Sequence, residues 1–129
     1  MDTNIKLLIL FSMIFCHIVD DYYLQGILAS MKQRDWWKNY PKMYEKDYLV
    51  ALFMHGFSWS FMVHLPLMIL YFVFGFRGYI AIGISCVCHA LIHSIVDDLK
   101  ANKHIFNLIQ DQILHMVQII IIFTTILIL

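Results

Sequence analysis

Four long apolar stretches constrain this chain more than any other feature of its sequence. A helix needs about 20 apolar residues to cross ~30 Å of hydrocarbon. Stretches of about that length cover residues 5–28, 48–74, 79–96 and 106–129. Because long runs without alternating polarity do not suit a small membrane β-barrel, the sequence predicts an all-α integral membrane bundle. We expect about four transmembrane helices in a single membrane domain over residues 1–129.

The composition supports a membrane protein and excludes several other classes. Only 14% of the residues are charged, whereas soluble domains keep roughly a quarter. The net charge is zero, and no basic block points to nucleic acid as a partner. The first apolar stretch lacks a small-x-small cleavage site and carries Asp20, Asp21 and Gln25. We therefore expect it to remain in the mature protein rather than act as a signal peptide.

The connections between the stretches predict how the bundle lies in the membrane. Residues 30–47 mix basic residues with tryptophan and tyrosine, which favours an amphipathic interfacial segment, broken near Pro41. Residues 74–78 predict a tight turn. Seven of the nine Lys and Arg residues lie in the first and third connections, whereas Lys6 and Arg77 lie on the opposite side. The positive-inside rule then predicts these two connections in the cytoplasm and both termini outside.

Ionisable residues inside the apolar stretches are the strongest functional signal, because such groups are expensive in a bilayer and mark function by default. They recur at intervals of four, which places them on one face of each helix. The sets are His17 and Asp21 in the first stretch, followed at the same interval by the polar but uncharged Gln25, then His89, His93 and Asp97 in the third, and Asp111 and His115 in the fourth.

The order of histidine and aspartate is reversed in the fourth stretch, and this reversal predicts a layered site. In an antiparallel bundle the first and third helices run toward the cytoplasm, and the fourth returns from it. Each of the three then presents an aspartate near the cytoplasmic surface and a histidine about 6 Å deeper, for a rise of about 1.5 Å per residue. His55 lies on the same side, about two turns into the second helix. Such layers predict a metal or proton site, or a hydrogen-bond network that only fixes helix packing.

Imidazole and carboxylate groups together suit a divalent metal ion, with zinc favoured over manganese or iron. The number of ions, one or two, remains open. An aspartate could also orient a histidine ligand instead of binding the metal itself. The predicted metal ligands are His17, Asp21, His93, Asp97, Asp111 and His115, with His55, His89, Gln25 and Gln112 as additional candidates. Asp21, Asp97 and Lys100 are the predicted catalytic residues, with Asp21 as general base or second metal ligand. Lys100 could hold an anionic headgroup or phosphate at the rim.

The remaining polar residues of these regions have simpler explanations. His64 and His104 are expected to be packing or hydrogen-bonded residues, and His89 could also simply bond a backbone carbonyl. Asp20 and Asp98 each neighbour a better-placed aspartate, so we expect them to face solvent or headgroups.

The combined motifs resemble a known family over nearly the whole chain. They are His17-x3-Asp21-x3-Gln25 followed by Lys32, then His55, His93-x3-Asp97-x2-Lys100 and Asp111-Gln112-x2-His115. This pattern resembles the small bacterial and phage membrane proteins catalogued as domain of unknown function 3307. The resemblance implies a multi-helix membrane fold, with no assigned activity, in a bacterial inner membrane. More loosely, the His-x3-Asp and His-x3-His elements are similar to those of intramembrane zinc hydrolases of the ceramidase-like superfamily.

These patterns favour a membrane-embedded, metal-dependent hydrolase whose site opens to the cytoplasmic leaflet. Its substrate would be amphipathic, such as a lipid or a lipid-linked molecule, and the bilayer is its expected partner. One alternative is a proton or divalent-cation transporter or channel component, which would need to oligomerise to form a pore. Another is a small structural or regulatory phage membrane protein whose polar residues fix helix packing.

Overall fold

The structure is a computed structural model that describes residues 2–74 and 78–128. The bundle is all-α, as the sequence predicted, and its described residues contain no strand. The α-helices are α1 (Thr3–Ile18), α2 (Leu28–Met31), α3 (Tyr48–Phe74), α4 (Tyr79–Ala101) and α5 (Leu108–Ile128). A π-helical segment, Val19–Leu24, continues α1 directly.

Within residues 2–74 and 78–128, four helices are long and apolar enough to cross a membrane, and the chain is an integral membrane protein. They are α1 with its π-helical extension, α3, α4 and α5. Large apolar side chains stand exposed around the outside of the bundle, among them Phe11, Phe72, Ile80 and Ile121. Such a surface is stable in hydrocarbon, where helices satisfy their own backbone hydrogen bonds.

The first spanning helix ends earlier than the predicted residue 28, and its last turn is not α-helical. Gly26 has a positive φ of 51°, a conformation in which a helix does not continue. The wider π-helical turn brings two consecutive carboxylates toward the interior, a geometry often found at functional sites. The expectation that Asp20 faces solvent or headgroups is therefore wrong. Asp20 is 1% exposed, and its Oδ1 accepts a hydrogen bond of 2.6 Å from Ser58 Oγ.

The other helix bounds differ from the prediction at the ends that carry polar residues. α4 continues five residues past the predicted end at 96, so Asp97 and Lys100 are helical. α5 begins at Leu108 rather than 106 because Asn107 and Gln110 form a capping box. Asn107 Oδ1 accepts from the Gln110 N–H at 2.9 Å, and Gln110 Oε1 accepts from the Asn107 N–H at 3.0 Å.

The two connections at one end of the bundle carry seven of the nine basic residues, and we call this end the lysine-rich end. The first connection contains 3-10 helices over Arg34–Asn39 and Lys42–Tyr44. They flank Pro41, which confirms the predicted break in this segment. Within the turn predicted at 74–78, residues 75–77 lie outside the described residues.

Apolar packing fills the half of the bundle away from the lysine-rich end. Met13, Val63, Leu67 and Ile122 are fully buried there. Nearer the lysine-rich end α3 and α4 approach each other closely at Gly56. A Cβ at this position would lie only 2.6 Å from the Ala90 carbonyl oxygen. This close contact leaves room only for small residues and places the side chains of neighbouring turns side by side.

Candidate metal centre

Four histidines meet in the bundle, one from each spanning helix. His17, His55, His93 and His115 are at most 1% exposed, and we call them the histidine cluster. The His93 ring centroid lies 4.3 Å from that of His115 and 5.0 Å from that of His55. His17 lies 5.7 Å from His115. Because each ring comes from a different helix, the bundle as a whole positions the cluster.

Asp97 is the central carboxylate of the site. Its Oδ1 lies 3.7 Å from His93 Nε2 and 3.6 Å from His115 Nε2, and its Oδ2 lies 3.2 Å from His55 Nε2. The same Oδ2 accepts a hydrogen bond of 2.5 Å from Lys32 Nζ. The side chain of Asp97 is only 3% exposed. One buried carboxylate therefore faces three imidazoles on its inner side and an ammonium on its outer side.

The other two aspartates repeat this arrangement on neighbouring helices. Asp111 Oδ1 lies 3.4 Å from His115 Nε2, while its Oδ2 accepts a 2.5 Å hydrogen bond from Lys100 Nζ. Asp21 Oδ1 lies 3.5 Å from His55 Nε2, and its Oδ2 accepts from Gln112 Nε2 at 3.0 Å. In both residues one oxygen faces the histidine cluster and the other accepts a hydrogen bond from a cation or an amide.

Among the described residues, two overlapping sets of three side chains lie close enough together to hold a metal ion. Asp21, His55 and His93 form one set, and His93, Asp97 and His115 form the other. Within each set the ligand atoms all lie within 4.8 Å of one another. His93 belongs to both, so the arrangement suits one ion with alternative ligands or two ions close together.

Buried polar atoms without hydrogen-bond partners test whether these residues fit a metal. Such atoms normally cost about 1–3 kcal/mol each, and native interiors contain few. Among the described residues, both ring nitrogens of His115, Oδ1 of Asp111, and the Nδ1 atoms of His55 and His93 make no hydrogen bond. Histidine nitrogens and carboxylate oxygens are the ligands that zinc, manganese and iron accept. The donor set therefore fits a divalent metal.

His17 occupies a different place from the one the sequence suggested. Its Nδ1 accepts a hydrogen bond of 2.6 Å from Trp59 Nε1, and its Nε2 lies 3.1 Å from Gln112 Oε1. Both ring nitrogens are thus engaged, and His17 is in neither ligand set. His55, named only as an additional candidate, is in one of them. The geometry gives His17 the role of orienting Gln112, which in turn holds Asp21.

The remaining candidates lie around this core. Gln25 Nε2 donates to Asp21 Oδ1 at 3.1 Å, so it positions the carboxylate. His89 lies one turn deeper than His93, and its Nδ1 donates to the Ser85 carbonyl oxygen at 2.9 Å. Its neighbour His64 is also bonded, to the Ser60 carbonyl oxygen at 2.7 Å. These contacts explain His89 and His64 as hydrogen-bonded packing residues outside the histidine cluster.

A polar pocket of about 430 Å³ leads from the lysine-rich end to this site. Its lining includes Asp21, Asp97, Lys32, Lys100 and Gln112. Two of the three carboxylates are thus reachable from the pocket, whereas the histidines lie beneath them. His104, which has a positive φ of 54°, stands at the rim.

Sequence reasoning missed two residues of the site, Trp59 and Lys32, and wrongly assigned the adjacent Asp20 to the surface. Trp59 stacks on His93 with ring centroids 4.2 Å apart, and it lies four residues after His55, so helical spacing could have identified it. Lys32 lies in a connection without helical periodicity, so its contact with Asp97 could not be predicted, although the motifs quoted for the resemblance include this lysine. Asp20 was assigned to the surface because an α-helical turn cannot direct two consecutive residues to the same neighbour.

The fold and site define a four-helix integral membrane protein with a buried histidine–aspartate centre. Comparisons with known protein families, with curated proteins and with solved structures find no match. The resemblance to domain of unknown function 3307 stays a prediction.

Proposed function

We propose that this chain is a membrane-embedded, metal-dependent hydrolase acting on an amphipathic substrate. The observation that carries the proposal is the pair of ligand sets that share His93, beneath the carboxylates that line an open polar pocket. His55, His93, Asp97 and His115 would hold zinc, manganese or iron, and Asp21 of the first set would stay free of the metal to act as the base. Such an ion, when bound, acidifies a water molecule and polarises the bond to be cleaved.

Asp21 is the proposed general base, because it lines the pocket while its side chain is only 8% exposed. It would take a proton from the attacking water, whose oxygen bonds to the substrate. As the bond to the leaving group breaks, Asp21 would pass that proton to the leaving group. Gln25 and Gln112 fix the carboxylate through hydrogen bonds of 3.1 and 3.0 Å, so its orientation is set before substrate arrives. Asp97 serves as a ligand rather than a base, since it already contacts three histidines.

The proposed topology follows from the charge of the connections. The lysine-rich end would lie in the cytoplasm, so the pocket would open at the cytoplasmic leaflet of a bacterial inner membrane. An amphipathic substrate could then place its polar part in the pocket and keep its apolar part in the bilayer.

The direct test is hydrolysis of lipid and phosphoester substrates by the detergent-purified, metal-reconstituted protein. Asp21→Asn should lower the rate by about 10²- to 10⁴-fold, the usual contribution of general base catalysis. Asp20→Asn is the matched control, because it changes the adjacent aspartate, which bonds Ser58 and belongs to neither ligand set. Equal rates in the two variants, with metal retained, would contradict the assigned role.

A proton or cation transporter is the second candidate, and one observation favours it. Polar contacts continue beneath the histidine cluster, where His64 Nε2 accepts from Ser85 Oγ at 2.9 Å and Gln118 Nε2 donates to the His89 carbonyl oxygen at 2.9 Å. A relay would need such groups to continue toward the opposite surface. Proton flux in proteoliposomes, lost in His64→Ala but retained in Asp21→Asn, would favour transport over hydrolysis.

A further inference from the structure

Two ammonium groups reach the pocket directly above the proposed metal site. Lys32 comes from the connection after α2 and Lys100 from the last turn of α4, and both line the same cavity of about 430 Å³. Their side chains are 11% and 33% exposed, respectively. Each ammonium donates one hydrogen bond of 2.5 Å to a carboxylate oxygen. Lys32 donates to Asp97, and Lys100 donates to Asp111. An ammonium has three N–H donors, so each lysine keeps donors for a further ligand without breaking its ion pair.

The charges around the pocket decide when an anion can bind there. Asp97 and Asp111 each pair with one of the two ammonium groups, so these four side chains carry no net charge together. A divalent ion at the proposed centre would offer a phosphate oxygen a third, positively charged partner beside the two lysines. In a site of low dielectric constant such a partner contributes strongly to the attraction for an anion. Anion binding should therefore depend on the metal.

The wall of the pocket also suggests how a ligand could be attached to a longer chain. Tyr22, at the end of the first spanning helix, and Leu108, at the start of α5, both line the cavity. Each is 56% exposed on the outer surface of the bundle. A ligand held by the lysines can thus pass between these two apolar side chains toward the hydrocarbon.

We infer that Lys32 and Lys100 form a phosphate-binding site that holds the headgroup of the substrate beside the metal centre. This inference rests on the proposed function and names its substrate class as a phosphate ester. A phosphate offers several acceptor oxygens, which two lysines and a metal ion can share, and charge-assisted hydrogen bonds of this kind are the strong ones. The phosphate can be carried by a lipid or be free in solution, and binding measurements separate these sources.

The test compares phosphatidic acid with diacylglycerol of the same acyl chains in neutral detergent micelles. The two lipids differ only in the phosphate, and the metal content is measured on the same sample of full-length protein. We expect the metal-loaded protein to prefer phosphatidic acid by at least about 10-fold, the factor equivalent to one charge-assisted hydrogen bond. Lys100→Gln should reduce this preference by about 10- to 100-fold, and Lys100→Arg should restore most of it.

Lys103→Gln is the matched control, because Lys103 lies three residues away, pairs with Asp98 at 3.4 Å and does not line the pocket. Lys100 is the residue to change first, since it is more exposed than Lys32 and its loss is better tolerated. Displacement of the lipid by millimolar inorganic phosphate would support the phosphate site and show that free phosphate is sufficient for binding. Retention of the lipid would support the same site and show that the phosphate must be carried by a lipid.

Three results would overturn the inference. They are a metal-loaded protein without preference for phosphatidic acid, a Lys100→Gln variant that keeps the full preference, and equal binding by metal-loaded and chelated protein. Because metal content is a separate readout, a metal-loaded protein that ignores phosphate would leave the proposed metal centre standing. A protein that takes up no metal would instead contradict the proposed function itself.

Discussion

Asp97→Ala is expected to destabilise the bundle by about 3–5 kcal/mol, the range measured when one partner of a buried ion pair is removed. Asp97 faces His55, His93 and His115, and it holds the Lys32 ammonium at 2.5 Å. Its removal leaves that ammonium buried without its carboxylate. Thermal unfolding in detergent would show the effect as a large fall in Tm.

Two variants make the Asp97 result interpretable. Asp98→Ala removes the neighbouring carboxylate, which lies 3.4 Å from the half-exposed ammonium of Lys103. The loss of this exposed ion pair should lower the free energy of unfolding by about 1 kcal/mol or less. Asp97→Ala combined with Lys32→Met should recover part of the lost stability, because the unpaired buried charge is then gone. If Asp97→Ala and Asp98→Ala had the same Tm, Asp97 would not be the central carboxylate of the site.

His93→Ala is expected to weaken metal binding by more than about 100-fold. Residues that only support a ligand typically contribute 10- to 100-fold, and His93 is shared by both ligand sets. His64→Ala is the matched control, since it removes a fully buried histidine whose ring is bonded to Ser60 and Ser85. Equilibrium dialysis against zinc would measure both affinities.

The two histidine variants also separate a metal centre from a packing network. If the polar residues serve only as hydrogen-bonding glue between helices, both variants should lose stability and neither should change metal content. If the histidine cluster binds metal, His93→Ala should lose the metal and His64→Ala should keep it. Equal metal affinities in the two variants would contradict the ligand assignment.

The sequence was sufficient to predict which helices meet at the site. Intervals of four residues placed His93 and Asp97 on one face of α4 and Asp111 and His115 on one face of α5. The structure brings these faces together, with Asp97 Oδ1 3.6 Å from His115 Nε2 and the His93 and His115 ring centroids 4.3 Å apart. This works because helical periodicity is local and the antiparallel order of short-linked helices fixes their depth. The length of the second apolar stretch also predicted both ends of α3, Tyr48 and Phe74.

The details that sequence reasoning did not reach depend on rotation and on non-local contacts. Periodicity fixes which residues share a face, but not how far that face turns toward each neighbour. His17 was therefore placed among the ligands, whereas its ring contacts Trp59 and Gln112. Asp20 turned inward because of a π-helical turn that has no recognised sequence signal. Lys32 reaches Asp97 across 65 positions of the chain, which no local pattern predicts.

Elemental analysis of the purified protein tests the central claim most directly. The protein would be reconstituted in turn with zinc, manganese and iron, freed of loosely bound ions, and compared with a folded His93→Ala, His115→Ala double variant. A metal centre predicts about one or two equivalents of one of these ions in the wild type, and loss of that metal in the variant. A wild-type protein that holds none of the three ions after reconstitution would contradict the account.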